Sequence, residues 1–146
     1  MGKVRNILHS KGKVNQVFSV ARGDTVLHAL QVMAEKNIGA LMITENEKLV
    51  GIFTERDYAR KIFIRGKSSN DTLIDEVMTE NPTSVKIDTG IDECMKIMSD
   101  KRFRHLPVMD NDKLVGLISI GDVVRYIIEE QKFIIENLEQ YITGHH

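Results

Sequence analysis

The sequence predicts an α/β (α+β) protein made of two pseudo-symmetric β-α-β-β-α units packed sheet to sheet. Three observations carry that expectation: the chain repeats itself at one fixed offset, each copy holds an apolar stripe at helical spacing, and each stripe precedes two apolar runs around a tight polar turn. Sliding the 146 residues against themselves aligns positions 19–62 with 84–127 without a gap at an offset of 65, and 13 of the 44 pairs are identical. Two copies at this long period form a pseudo-symmetric pair, because a solenoid needs at least about three stacked repeats.

The elements follow in order. Phe18-Ser19-Val20 and Thr83-Ser84-Val85 read as the leading strands. Val26, Ala29, Leu30, Met33 and Ala34 keep the spacing of an amphipathic helix, and Ile91, Cys94, Met95 and Met98 repeat it, so Cys94 takes the place of Ala29 on a buried helix face. Leu41 to Thr44 and Leu49 to Phe53 flank the turn Asn46-Glu47-Lys48, and Leu106 to Met109 and Leu114 to Ser119 flank Asn111-Asp112-Lys113, giving one hairpin per copy. A second helix follows each hairpin, from about Asp57 to Ile64 and from about Asp122 to Tyr141. The polar run 65–71 links the copies, and a short helix from Thr72 to Met78 is closed by Asn81-Pro82. Residues 1–67 thus hold the first unit with an N-terminal segment, 68–130 the second unit, and 131–146 a C-terminal helix extension and tail. One short sheet with two helices cannot cover both its own faces, so the two sheets are expected to pack on each other.

Composition narrows the function classes. Twenty Lys and Arg against 21 Asp and Glu leave a net charge of −1, which argues against a binder drawing its affinity from neutralised nucleic-acid phosphates. No apolar run approaches the roughly 18 residues of a membrane span, and Met1 to Gly12 lacks the apolar core of a secretory signal. With Cys94 as the single cysteine, the expected setting is the cytoplasm or another reducing intracellular compartment. His9 and His28 have no partners at metal-ligand spacing, and no nucleophile grouping or Walker loop is present, so neither a metal site nor catalysis is expected.

The chemistry-bearing motif sits at each strand-to-helix junction. Gly51-Ile52-Phe53-Thr54-Glu55-Arg56-Asp57 and Gly116-Leu117-Ile118-Ser119-Ile120-Gly121-Asp122 share the pattern Gly-hydrophobic-x-Thr/Ser-x-x-Asp. One reading is a capping box, although that box favours Glu or Gln at its third position, and Asp is short for the reach back. The other is a ligand cradle. A helix start offers unpaired N–H groups to an anion, the hydroxyl adds a phosphate hydrogen bond, and a carboxylate accepts both hydrogen bonds of a ribose diol.

With Arg102-Phe103-Arg104-His105-Leu106-Pro107-Val108, the two motifs resemble a tandem pair of cystathionine β-synthase (CBS) domains, the Bateman module, over nearly all of residues 10–130. The resemblance implies a non-catalytic regulatory or sensor module that binds AMP, ADP, ATP, NAD(H) or S-adenosylmethionine between its units, relays occupancy to a partner protein, and pairs into flat dimers. It also implies that Asp57 and Asp122 hold ribose hydroxyls while Thr54 and Ser119 reach phosphate or ribose. Adenine would lie against Val20 with Ile38-Gly39-Ala40, and against Val85 with Phe103-Arg104-His105. A ligand-free dimerisation scaffold, with both motifs only capping helices, is the competing expectation.

The two clefts are not equivalent. Ile38-Gly39-Ala40 is neutral, whereas the matching Phe103-Arg104-His105 carries a guanidinium and an imidazole. Arg56, ahead of Asp57, offers a bidentate phosphate donor where the other copy has Gly121, so a phosphate seated at Thr54 and Asp57 is expected to meet Arg56, with Arg104 and His105 approaching from the facing copy. Gly121 leaves the second cleft roomier and less charged. In the last helix Val124, Ile128, Gln131, Ile135, Leu138 and Ile142 step by 4, 3, 4, 3 and 4, a heptad seam that predicts a homodimer contact with Gln131 as a polar register mark. Packing back onto Val4, Ile7 and Leu8 is the alternative for that face.

Overall fold

The computed structural model describes residues 2–10, 12 and 17–143; the terminal His145 and His146 lie outside them. Helix α1 (Val4–Ser10) precedes strand β1 (Ser19–Ala21), helix α2 (Val26–Lys36), strands β2 (Ala40–Glu45) and β3 (Lys48–Thr54), and a helical turn α3 (Glu55–Asp57) that widens into a π-type segment, Tyr58–Phe63. A 3₁₀ turn, Ile74–Glu76, and a short strand β4 (Thr79–Glu80) lead into β5 (Val85–Lys86), α4 (Ile91–Lys101), β6 (His105–Asp110), β7 (Lys113–Ser119) and α5 (Ile120–Thr143).

Local chemistry explains why these elements begin and end where they do. Thr25 caps α2 by accepting from the His28 amide, and Asn37, at φ 55°, turns the chain out of the helix in the left-handed region that asparagine tolerates. Both hairpins close through two consecutive residues at positive φ, Asn46 and Glu47 at 50° and 66°, Asn111 and Asp112 at 48° and 67°. That is the turn whose twist matches the strands. β1 runs parallel to β2 and β5 to β6, so α2 and α4 are crossover helices, and each hairpin carries an irregularity at the same place, Ile43/Thr44 and Val108/Met109.

Some elements differ from the sequence expectation. The leading strands sit later, at 19–21 and 85–86. The expected helix from Asp57 to Ile64 is one α-turn followed by the wide π-type turn, and the expected helix up to Met78 shrinks to one 3₁₀ turn. Thr79 and Glu80 instead add β4 to the edge of β3, making the order β1-β2-β3-β4 in one sheet and β5-β6-β7 in the other. Ala34 and Met95, placed on buried stripes by their spacing, are exposed because each stripe is narrower than the periodicity suggested.

Two apolar cores form, and each borrows from the other half of the chain. Val4, Ile7 and Leu8 of α1 pack with Val85, Ile91, Cys94, Leu106 and Ile118, while Ile74, Val77 and Met78 pack with Val20, Val26, Leu41 and Phe53. The borrowing is pseudo-symmetric down to single hydrogen bonds. The Ile91 amide donates to the Gly2 carbonyl at 3.0 Å and Val4 to Thr89 at 2.9 Å; in the other core Val26 donates to Thr72 at 2.9 Å and Ile74 to Asp24 at 2.7 Å. Glycine makes the close approach possible, since a Cβ on Gly116 would lie 2.9 Å from Leu8, and one on Gly51 would collide with Met78. Ala40, Met42, Ile52 and Pro107 are buried yet belong to neither core. They lie on the strand faces turned away from the helices, and β3 meets β7, so this layer is the seam between the two sheets.

Candidate functional site

At each strand-to-helix junction the hydroxyl and the carboxylate bond each other's backbone. The Asp57 amide donates to Thr54 Oγ1 at 3.1 Å and the Thr54 amide to Asp57 Oδ2 at 3.0 Å; the Asp122 amide donates to Ser119 Oγ at 3.1 Å and the Ser119 amide to Asp122 Oδ2 at 2.8 Å. This corrects the expectation that aspartate is too short for a capping box. A first-turn side chain leans toward the helix N-terminus, which brings even the short carboxylate within reach.

The second oxygen of each carboxylate meets a cation, and here the copies part. Asp57 Oδ1 lies 3.3 Å from Lys61 Nζ, while Asp122 Oδ1 accepts from the Arg125 guanidinium at 2.8 Å. Asp122 is the more deeply placed, with a side chain 6% exposed against 16% for Asp57. The junctions are also tied to the strand starts before them, since Glu55 donates to the Gly39 carbonyl at 3.1 Å and Ile120 to the Arg104 carbonyl at 2.9 Å.

Beside Asp122 a cleft of about 390 Å³ opens on the seam. The first unit contributes Asn37, Ile38, Gly39 and Ala40 to its wall, and the second contributes His105, Leu117, Ser119, Asp122 and Arg125. A Cβ on Gly39 would lie 3.8 Å from His105 Nε2, so the two strand starts meet there. The cleft therefore combines the neutral strand start of one copy with the helix start of the other.

Ile38, Gly39, Ala40, His105, Ser119 and Asp122 are thus gathered from both halves of the repeat. Thr54, Asp57, Arg56 and Arg104 do not border this cleft, and Arg56 and Arg104 are exposed. Val20 and Val85 point into the two cores, Phe103 packs against the second core, and Pro107 lies in the seam. Arg125 lines the cleft beside Asp122, a cation that the sequence expectation for this cleft did not include. Sequence reasoning passed over Arg125, Asn37 and Leu117. A signal for the first was present: Asp-x-x-Arg recurs at the offset of 65, as Asp57 with Arg60 and Asp122 with Arg125.

Comparison with known proteins agrees with this architecture. The family profile described as CBS domain matches residues 4–64 and 74–129. The chain is 36% identical over 148 residues to "CBS domain-containing protein CBSX3, mitochondrial" of Arabidopsis thaliana, covering 97% of this chain and 72% of that protein. Some curated relatives are much longer: the chain spans about a fifth of CBSCBSPB2 of Arabidopsis thaliana, to which it is 32% identical. Among solved structures, the CBS domain of NE2398 superposes with a TM-score of 0.81 at 42% identity over 86% of this chain and 97% of that one. CBSX2, solved in complex with AMP, superposes with a TM-score of 0.72 at 22% identity over 90% of this chain and 99% of that one. With two CBS domains in tandem, joined through the seam into one Bateman module, the chain belongs to the CBS-domain family.

Proposed function

We propose that the chain is a regulatory module that binds an adenosine-containing ligand (AMP, ADP, ATP, NAD(H) or S-adenosylmethionine) in the seam cleft and relays its occupancy to a partner protein. The observation that carries this is the cleft itself, whose walls come from both units and whose floor holds Ser119 and Asp122 at the start of α5. A volume of about 390 Å³ falls in the ordinary range for small-ligand sites. Asp122 presents a carboxylate at the cleft, and a ribose diol supplies donors of the kind a carboxylate accepts. The same fold holds AMP in CBSX2; for this chain the support is its own cleft. Occupancy moves the two units only if the ligand binds their alternative settings with different affinity, and contact with both units gives it the means to do so.

A second copy is the occupant proposed for the bare face of α5. Ile128, Ile135, Leu138 and Ile142 are between 53% and 80% exposed. Antiparallel pairing centred on Phe133 sets Val124 against Ile142, Ile128 against Leu138 and Gln131 against Ile135, in both directions. The face is self-complementary, as a twofold interface requires.

Calorimetry with AMP, ATP, NAD, NADH and S-adenosylmethionine tests the ligand reading. Asp122→Ala is expected to weaken binding about ten- to hundred-fold, the cost of a charged hydrogen-bond partner. Binding that neither Asp122→Ala nor Asp57→Ala weakens would remove the ribose role. The ligand-free scaffold is favoured by one observation, that both aspartates close capping boxes. It predicts a loss of about 0.5–2 kcal/mol of stability in the alanine variants and no nucleotide that raises the melting temperature.

A further inference from the structure

We propose that Arg125 is the anion-recognising residue of the seam cleft: its guanidinium holds Asp122 and also donates to the phosphate of a bound nucleoside phosphate. This rests on the reading of the cleft as a nucleoside site and specifies which members of that class it prefers. Among the described residues that line the cleft, Arg125 alone carries a permanent positive charge; the wall from the first unit, Asn37 to Ala40, has none. It also sits unlike its counterpart in the repeat. Arg60 follows Asp57 at the same spacing, but the wide turn Tyr58–Phe63 gives Asp57 to Lys61 instead, whereas the regular α5 places Arg125 against Asp122.

The geometry suits a bridge. One nitrogen of Arg125 donates to Asp122 Oδ1 at 2.8 Å, while its side chain stays 70% exposed at the cleft rim. A guanidinium has five N–H donors in a planar fork, so it can keep the carboxylate and still present two parallel donors to a phosphate. A ligand with a diol and no phosphate competes with Arg125 for Asp122 and gains nothing from it. A nucleoside monophosphate engages carboxylate and guanidinium together, and the pair then reads the ribose-to-phosphate distance. Arg125 is thus a specificity-determining residue, set apart from Arg56 and Arg104, which do not border this cleft.

Titration of AMP and adenosine into the full chain, wild type, Arg125→Ala and Arg125→Lys, tests this. Arg125→Ala is expected to lose about ten- to hundred-fold in AMP affinity while adenosine affinity holds or rises, and Arg125→Lys is expected to recover part of the AMP loss through its point charge. Raising the salt concentration should weaken AMP and leave adenosine unmoved. Equal loss for AMP and adenosine in Arg125→Ala, or no loss for either, overturns the assignment while the nucleoside reading stands. If wild type binds neither compound, the nucleoside reading fails and the Arg125 assignment with it. Arg125→Lys retains a cation for the buried Asp122, so it keeps the comparison valid should the alanine variant unfold.

Discussion

Asp122 serves as a helix cap and as the floor of a cleft at one time, and the two roles make different demands. Capping uses Oδ2 on the Ser119 amide, and near-complete burial makes the remaining charge costly unless a cation answers it. Asp57, with a more exposed side chain and Lys61 in place of arginine, carries less of that burden. Asp122→Ala is therefore expected to lower the unfolding free energy more than Asp57→Ala, with the cap share of each near 0.5–2 kcal/mol, as urea titration of both variants would read. Equal losses would mean that burial adds nothing at Asp122. Cys94 is the other residue whose setting has a readable consequence. Wholly buried on α4, its thiol is pushed up to about 11, first by desolvation and then by Glu93 and Asp92. The unfolded chain releases that proton near pH 9 and the folded chain holds it, so stability falls as pH rises from about 9 to 11. Cys94→Ala is expected to flatten that part of the stability profile, and native protein at pH 8 should resist alkylation until denaturant is added.

At the scale of elements, the glycines that end the repeated Leu-Val-Gly run decide how the halves dock. Gly51 and Gly116 let β3 and β7 come against Met78 and Leu8, side chains supplied from the other half of the chain. Gly116→Ala must displace Leu8, for about 1–3 kcal/mol of destabilisation. Thermal melts should find it well below a surface control such as Gly23→Ala, where an added Cβ meets nothing within 4 Å. The hairpins and crossover helices were legible because their apolar periodicity and turn residues are local and because every match recurs at one offset. The cross-packed segments were not. Val4, Ile7 and Leu8 correspond to Ile74, Val77 and Met78 at a spacing of 70 and not 65, so a gap-free comparison passes over them. β4 escaped for another reason: two residues of exposed Thr79 and Glu80 pair with β3 only because the chain is already held there by Met78. Likewise Ser119 and Asp122 could be singled out from sequence, but their partnership with Ile38 to Ala40 depends on how the two sheets meet, and no local pattern encodes that.

For the whole molecule, the consequence is a single seam with a cleft built from both halves, and a long helix that starts at the cleft and ends bare. α5 runs from Ile120 beside Ser119 to Thr143, so its first turn borders the seam cleft and its last turns carry the exposed heptad face. A change at Asp122 or Arg125 and a change in what covers Ile135 and Leu138 thus act on one continuous helix. Ile135→Asp is expected to convert a dimer to a monomer in sedimentation while leaving nucleotide affinity within a few-fold; a dimer that survives it would move the contact off α5. Nuclear magnetic resonance of the labelled chain titrated with AMP locates the ligand most directly. Shifts should concentrate at Gly39, Ala40, His105, Ser119 and Asp122, on both sides of the seam. Shifts confined to one unit, or none at saturating AMP, would contradict a nucleotide site between the two halves.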